Sequence, residues 1–313
     1  MVRIAKATLT APSVFPALPP FPAWARARVL PDTGSDAAFL AGAALAALHP
    51  VALGSEPLAL LLRKRLALRN AAPIARLEGR KEDEAELRDA WMLRRAGDDP
   101  GPGGHILDLW RRLGSRQALS PENWMEIWGG RLGATEAPWD TVLREAEPIG
   151  GEGAAIASAA GMAAAVLRKR PEAEALALWL ADAVLAIRLK WSAPVPLIAT
   201  QIRRGELQLA ARSSGSDEWL RICCHAYARA AADAYDLNAE LMRRADRLLA
   251  VAPKLRSRAA PDLVVTLMSE DALAAGSAGA PSDRSGRRFF DRLVALGAVR
   301  ELTGRPTFRL YGL

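Results

Sequence analysis

The chain is nearly empty of cysteine, histidine and lysine. Among 313 residues there are two cysteines and three histidines, and the cysteines, Cys223 and Cys224, are neighbours. Adjacent cysteines cannot staple distant segments, which excludes a disulfide-framed secreted scaffold and points to a reducing compartment. Lysine occurs six times, so thirty-six of the forty-two cations are arginine. A GC-rich genome produces that arginine and alanine bias on its own, so the net charge of +7 says little by itself about nucleic acid. Long apolar runs are missing too. The longest uncharged ones, 37–53 and 153–167, are alanine-rich, the first is interrupted by His49-Pro50, and both fall short of the ~20 strongly apolar residues of a membrane span. An export signal needs an unbroken apolar stretch, and here Pro12, Pro16, Pro19, Pro20 and Pro22 follow Arg3 and Lys6. The expectation is a cytoplasmic protein with no membrane partner, and nothing calls for a cofactor. No fixed-period repeat suggests a solenoid.

What is present is a composition of 50% hydrophobic and 25% charged residues, enough to bury a substantial core. The fold class read from the pattern is mainly α, a multi-helix body with a small C-terminal winged-helix-like module. Residues 1–34 read as a proline-rich arm with Phe15, Phe21 and Trp24 available to pin it, 35–255 as the all-helical body, and 256–313 as the C-terminal domain. Helical periodicity or start signals mark 35–48, 56–70, 80–95, 105–113, 121–128, 137–147, 152–170, 171–191, 194–204 and 216–251. The last would be about 50 Å long at ~1.5 Å per residue. Its inward stripe is Trp219, Ile222, Cys223, Ala226, Ala230, Leu237, Leu241, Ala245 and Leu248.

Positive charge gathers at the end. Residues 282–313 hold seven arginines against three acids, a surplus of four in the chain's +7. Phe289, Phe290, Leu293, Val294 and Leu296 recur at helical spacing on one face, and Arg284, Arg287, Arg288 and Arg292 form a ridge on the other. Ser282 suits an N-cap and Gly297 a C-cap. Residues 298–302 and 307–311 read as strands around a 303–306 turn. Helix, hairpin and an arginine at the hairpin tip are the parts of a winged helix. Such a module lays its helix in the major groove and rests the tip, here Arg305, on the backbone or minor groove. The candidate DNA-contacting set is therefore Arg284, Arg287, Arg288, Arg292, Arg305 and Arg309. The second helix of the motif has little room, because 270–275 leaves barely a turn and 274–281 has the composition of a flexible linker.

The stretch Arg287-Arg288-Phe289-Phe290-Asp291-Arg292-Leu293-Val294-Ala295-Leu296-Gly297-Ala298-Val299-Arg300-Glu301-Leu302-Thr303-Gly304-Arg305 resembles the winged-helix tails that end many Fic-type proteins. The Fic catalytic motif, His-Pro-Phe followed by Gly-Asn-Gly-Arg, is absent, since the one His-Pro is His49-Pro50 followed by Val51-Ala52-Leu53, so the resemblance carries no AMP transfer. The chain as a whole, 80–112 above all, is similar to an uncharacterised family of alphaproteobacterial proteins, often plasmid-borne, that offers no activity to transfer.

Other chemistry is thin. Cys223-Cys224-His225 has metal-ligand types, but adjacent cysteines on a helix point about 100° apart and no second pair completes a tetrahedral set, so they read as core residues and no metal site is assigned. Gly151-Glu152-Gly153 imitates a dinucleotide loop without a preceding strand and reads as a helix start. Glu82, Asp83, Glu84, Glu86 and Asp89 read as an ion-pair face beside Arg80 and Arg88. Tryptophans in helical segments read as core. The glycine-rich loop 94–105 brings Asp98, Asp99 and His105 together and is the place for a ligand or active site outside the tail; otherwise it is a rigid helix connection. No catalytic residue is assigned. Three readings stand: a double-stranded-DNA-binding regulator with a sensing or homodimerising body, a helical protein-protein interaction module with a degenerate winged helix, and an enzyme using the 98–105 loop.

Overall fold

The structure is a computed structural model. It describes residue 15, residues 18–54, 57–95, 97–132, 155–212, 216–254, 260–277, 283–305 and 307–313. Eleven α-helices and three short strands occur among them. The helices are α1 (Gly34–Leu53), α2 (Pro57–Leu77), α3 (Glu84–Met92), α4 (Gly101–Leu113), α5 (Trp124–Leu132), α6 (Ala155–Lys169), α7 (Glu174–Arg188), α8 (Arg204–Arg212), α9 (Asp217–Val251), α10 (Ala260–Leu267) and α11 (Asp283–Ala295). The expected helix 137–147 and the Gly151-Glu152-Gly153 segment lie outside the described residues.

The spine is α9, unbroken over 35 residues. Ser216 caps it by accepting from Trp219 N, Asp217 and Glu218 complement the first-turn dipole, and every residue of the expected inward stripe is buried. Against it lies α1, which runs through His49-Pro50 instead of stopping there. Pro50 removes the donor for the Ala46 carbonyl, and Ala46 is exposed, so that oxygen is not left buried without a partner and the helix continues. At its end the buried Arg63 guanidinium donates from Nη2 to the carbonyls of Ala52 (2.9 Å) and Gly54 (3.0 Å). Extended to 20 residues, α1 is long and apolar enough to cross a membrane by length and composition, with a third of its best window buried. The arm pins itself through Phe21, edge-on to Tyr235 at 5.6 Å, and through Arg26, bidentate to Asp236. Trp24 is 63% exposed and stacks on Phe39 instead of entering the core.

Between α7 and α8 the expected helix 194–204 does not form. Prolines 194 and 196 hold buried irregular chain, and Asp182 of α7 accepts from Leu197 N (2.7 Å) and Ile198 N (3.3 Å), so a side chain replaces the helical ladder and only Ile198–Thr200 turns as a 3-10 helix. Tryptophans serve the core as expected: Trp124 and Trp128 meet Trp179 edge-on at 6.3 and 6.0 Å, and Trp179 Nε1 donates to Leu109 O.

The tail forms a three-stranded antiparallel sheet of order β1 (Leu273–Ala274), β3 (Leu310–Gly312), β2 (Arg300–Glu301). Leu273 faces Tyr311, and Arg300 faces Gly312. β1 takes the start of what composition marks as a linker, and Ala275–Ser277 follows as a 3-10 turn. The two hairpin strands are shorter than the sequence pattern implies. Gly297 closes α11 at φ +65°, with Gly297 N donating to Val294 O and Ala298 N to Leu293 O. A Cβ at Gly312 would lie 2.7 Å from the Asp271 carbonyl, so β3 needs glycine there to seat against the chain entering β1. The hydrophobic core is continuous from Phe21 through α9 to Phe290, Leu293, Tyr311 and Leu313.

Candidate nucleic-acid interface

Helix α11 packs by a narrow stripe. Phe290 is buried and lies flat on Tyr311, rings 4.4 Å apart and 6° from parallel, while Phe289 meets Phe290 edge-on at 5.7 Å. Leu293 completes the stripe. Val294 and Leu296, expected on the same face, are exposed, because strands of two or three residues cover only one line along the helix. On the outer side Arg287, Arg288 and Arg292 are exposed, and the side chains of Arg288 and Arg292 make no hydrogen bond or ion pair among the described residues. Ser282 and the Arg284 side chain lie outside them.

The hairpin arginines are placed differently from expectation. Arg305, expected at the tip to meet DNA, forms a 2.5 Å ion pair with Asp89 of α3, whose carboxylate is only 13% exposed. Burial pushes the Asp89 carboxyl upward, with Arg305 and Arg88 opposing. Arg309 Nε donates to the Arg305 carbonyl at 3.0 Å, and its guanidinium stands 3.7 Å from Asp291. Glu301 accepts from Thr303 N at 2.7 Å and Gly304 N at 2.8 Å, and Leu302 N donates to Leu310 O. The hairpin is thus internally braced and clamped to the body on one side.

Beneath it lies a charge latch that sequence reasoning missed. Asp271, 3% exposed, sits between Arg65 of α2 and Arg88 of α3, and Arg88 Nε is 2.7 Å from its Oδ2. Arg65 Nη2 also donates to the carbonyls of Asp271 (3.1 Å) and Leu313 (3.3 Å). Next to it Glu270 pairs with Lys64 and, at 3.2 Å, with Arg111. Burial pulls Arg65 and Lys64 below their usual values while the acids oppose it. The visible signal was a set of cations, Arg63, Lys64 and Arg65, in an otherwise leucine- and alanine-rich helix.

A cleft of about 660 Å³ opens between tail and body. Arg94 of the segment after α3, Arg287 and Asp291 of α11, and Thr307, Phe308 and Arg309 of the hairpin line it, so α11 and the second arm of the hairpin face one space. Arg94 stacks over Trp91 at 4.3 Å, adding a body cation that the tail-centred reading omitted.

Elsewhere the candidates disperse. His105 Nε2 is 2.8 Å from Asp99 Oδ1, but the side chains are 51% and 75% exposed, while Asp98 accepts from Arg95 N and Asp99 from Gly101 N as loop-bracing groups. Of Asp98, Asp99 and His105, only His105 borders the adjoining shallow cleft, beside Asp108 and Glu126. The acidic group at 82–89 makes structure: Glu82 pairs with Arg80, and Asp83 with Glu86 forms a capping box. Cys223 and Cys224 are buried in α9, where burial pushes the Cys224 thiol up to about 11.

Compared with known proteins, residues 10–313 match a family model described as a protein of unknown function (DUF1403). No curated protein and no solved structure matches the chain.

Proposed function

The chain belongs to the DUF1403 family, whose description assigns no activity, and we propose from its geometry that it is a double-stranded-DNA-binding protein, a transcriptional or plasmid-associated regulator whose tail acts as a winged helix on a sensing or dimerising helical body. The order of the tail's elements carries the reading. α10, β1, the 3-10 turn, α11, β2 and β3 follow one another, and β3 pairs between β1 and β2. β1 supplies a sheet edge absent from the sequence reading, and the 3-10 turn stands where the motif's second helix belongs. The likeness of residues 287–305 to Fic-type tails agrees with this order. In this arrangement α11 enters the major groove, which is wide enough for a helix, and the hairpin falls on the neighbouring backbone and minor groove. Arg288 and Arg292, one turn apart and unpaired among the described residues, are the contacts on α11.

Anisotropy of a fluorescent mixed-sequence duplex across a salt series tests the reading. An Arg288→Ala/Arg292→Ala variant keeps its fold, because both side chains are exposed, and lowers the slope of log K against log salt by about two, at ~0.9 per phosphate contact. At low salt its affinity falls roughly tenfold or more. Wild-type protein that binds no duplex in a salt-dependent way sinks the reading. A second reading, an interaction module whose hairpin serves the protein itself, is favoured by the Arg305–Asp89 clamp and the buried Asp271 latch. It predicts no binding in the same titration.

A further inference from the structure

Phe308 is the most anomalous side chain in the tail. It is 71% exposed, although large apolar groups are the ones folding removes from water. Its backbone lies at φ +54°, in the left-handed region that a bulky residue adopts only when its surroundings impose it. The surroundings here do so: Arg305 is held by Asp89, Arg309 Nε holds the Arg305 carbonyl, and Leu302 is paired with Leu310 at the hairpin base. A braced loop therefore leaves an aromatic ring largely in solvent at the border of the cleft between tail and body, and no aromatic ring partner or core cluster receives it among the described residues.

We propose that Phe308 is a wedge that enters the DNA minor groove and partly unstacks a base step, bending the duplex around the tail. The proposal rests on the DNA-binding reading above and adds what the hairpin does there. Apolar side chains inserted from the minor groove unstack steps and kink the duplex toward the major groove. With α11 in the major groove, the adjoining minor groove is the part of the duplex the hairpin reaches. Arg309 beside the ring is 44% exposed; its Nε braces the Arg305 carbonyl, while its Nη1, 3.7 Å from Asp291, remains open to a flanking phosphate, and clamped Arg305 resists recoil of the loop into the body. Pyrimidine–purine steps such as TA, the easiest to unstack, are the preferred entry points.

The test uses the full chain and a duplex of about 30 base pairs, long enough to register a bend. It carries TA steps with 2-aminopurine and a fluorophore at each end. Wild-type protein is expected to raise 2-aminopurine emission and end-to-end energy transfer on binding. Phe308→Ala should lose both signals yet bind within about threefold, since backbone cations dominate affinity, and Phe308→Leu, a smaller wedge, should retain part of them. Thermal melts check that the variants fold. Binding by wild-type protein with no rise in either signal, or an unchanged rise with Phe308→Ala, overturns the wedge and leaves the DNA reading standing. Absence of any wild-type binding overturns the DNA reading and the wedge with it.

Discussion

Asp271→Asn is expected to destabilise the chain by about 3–5 kcal/mol, the range for removing one partner of a buried ion pair. The substitution keeps the side chain's shape and removes only its charge, leaving Arg65 and Arg88 buried without their counter-ion. Urea unfolding gives the magnitude, and limited trypsin digestion gives the place. Arg65 also holds the carbonyls of Asp271 and Leu313, so loosening it releases the end of β3 as well as the entry to β1, and cleavage should appear first in the arginine-rich tail. Glu270→Gln is the control. Glu270 is 29% exposed against 5% for the Asp271 side chain, so its pairs are better screened and their loss should cost less. An Asp271→Asn loss no greater than that of Glu270→Gln would show that the tail is held by its apolar contacts alone.

The second large effect is a pH dependence centred on Asp182. Its carboxyl is 1% exposed, and burial lifts it to about 7 against the opposing donors of Leu197 and Ile198. An unfolded aspartate titrates near ~3.9, so the folded state holds this proton more tightly than the unfolded one. The stability it contributes is complete below about pH 4, is lost as the pH rises toward about 7, and changes no further above that. A shift of roughly three units corresponds to about 4 kcal/mol. Asp182→Asn stays neutral throughout and keeps a carbonyl oxygen for the Leu197 N–H. It should flatten the profile between pH 4.5 and 7.5 and be more stable than wild type at pH 8. Urea midpoints across that range decide the matter, and a wild-type profile already flat there would remove the role assigned to Asp182.

Much of the fold was legible in the sequence because much of it is local. The α9 stripe and the Gly297 cap each depend on residues within a few turns, and both stand where periodicity and capping put them. The misreadings also have local causes. Segment 194–204 has helix-like apolar residues, but its two prolines lack the N–H a helix ladder needs and the Asp182 carboxylate accepts from Leu197 N and Ile198 N instead. Helix α1 outlasts His49-Pro50 because the freed carbonyl faces solvent. Strand β1 is two residues long, too short for any alternation to show.

By itself, the sequence determined a helical protein with a basic, hairpin-ended tail, because helix formation and charge content are properties of neighbouring residues. Only the tertiary structure decided what each charge is for. Arg65 and Arg88 meet Asp271 across 206 and 183 residues, and no local pattern specifies which acid a buried guanidinium will find. The same holds for Arg305, which has the look of a tip cation and is a clamp on Asp89, and for Phe308, which has the look of a strand residue and is held out in the open. The buried ion pairs follow from desolvation: a charge taken out of water on folding needs a counter-charge or hydrogen-bond partners there, and the chain's path through space sets which ones it meets.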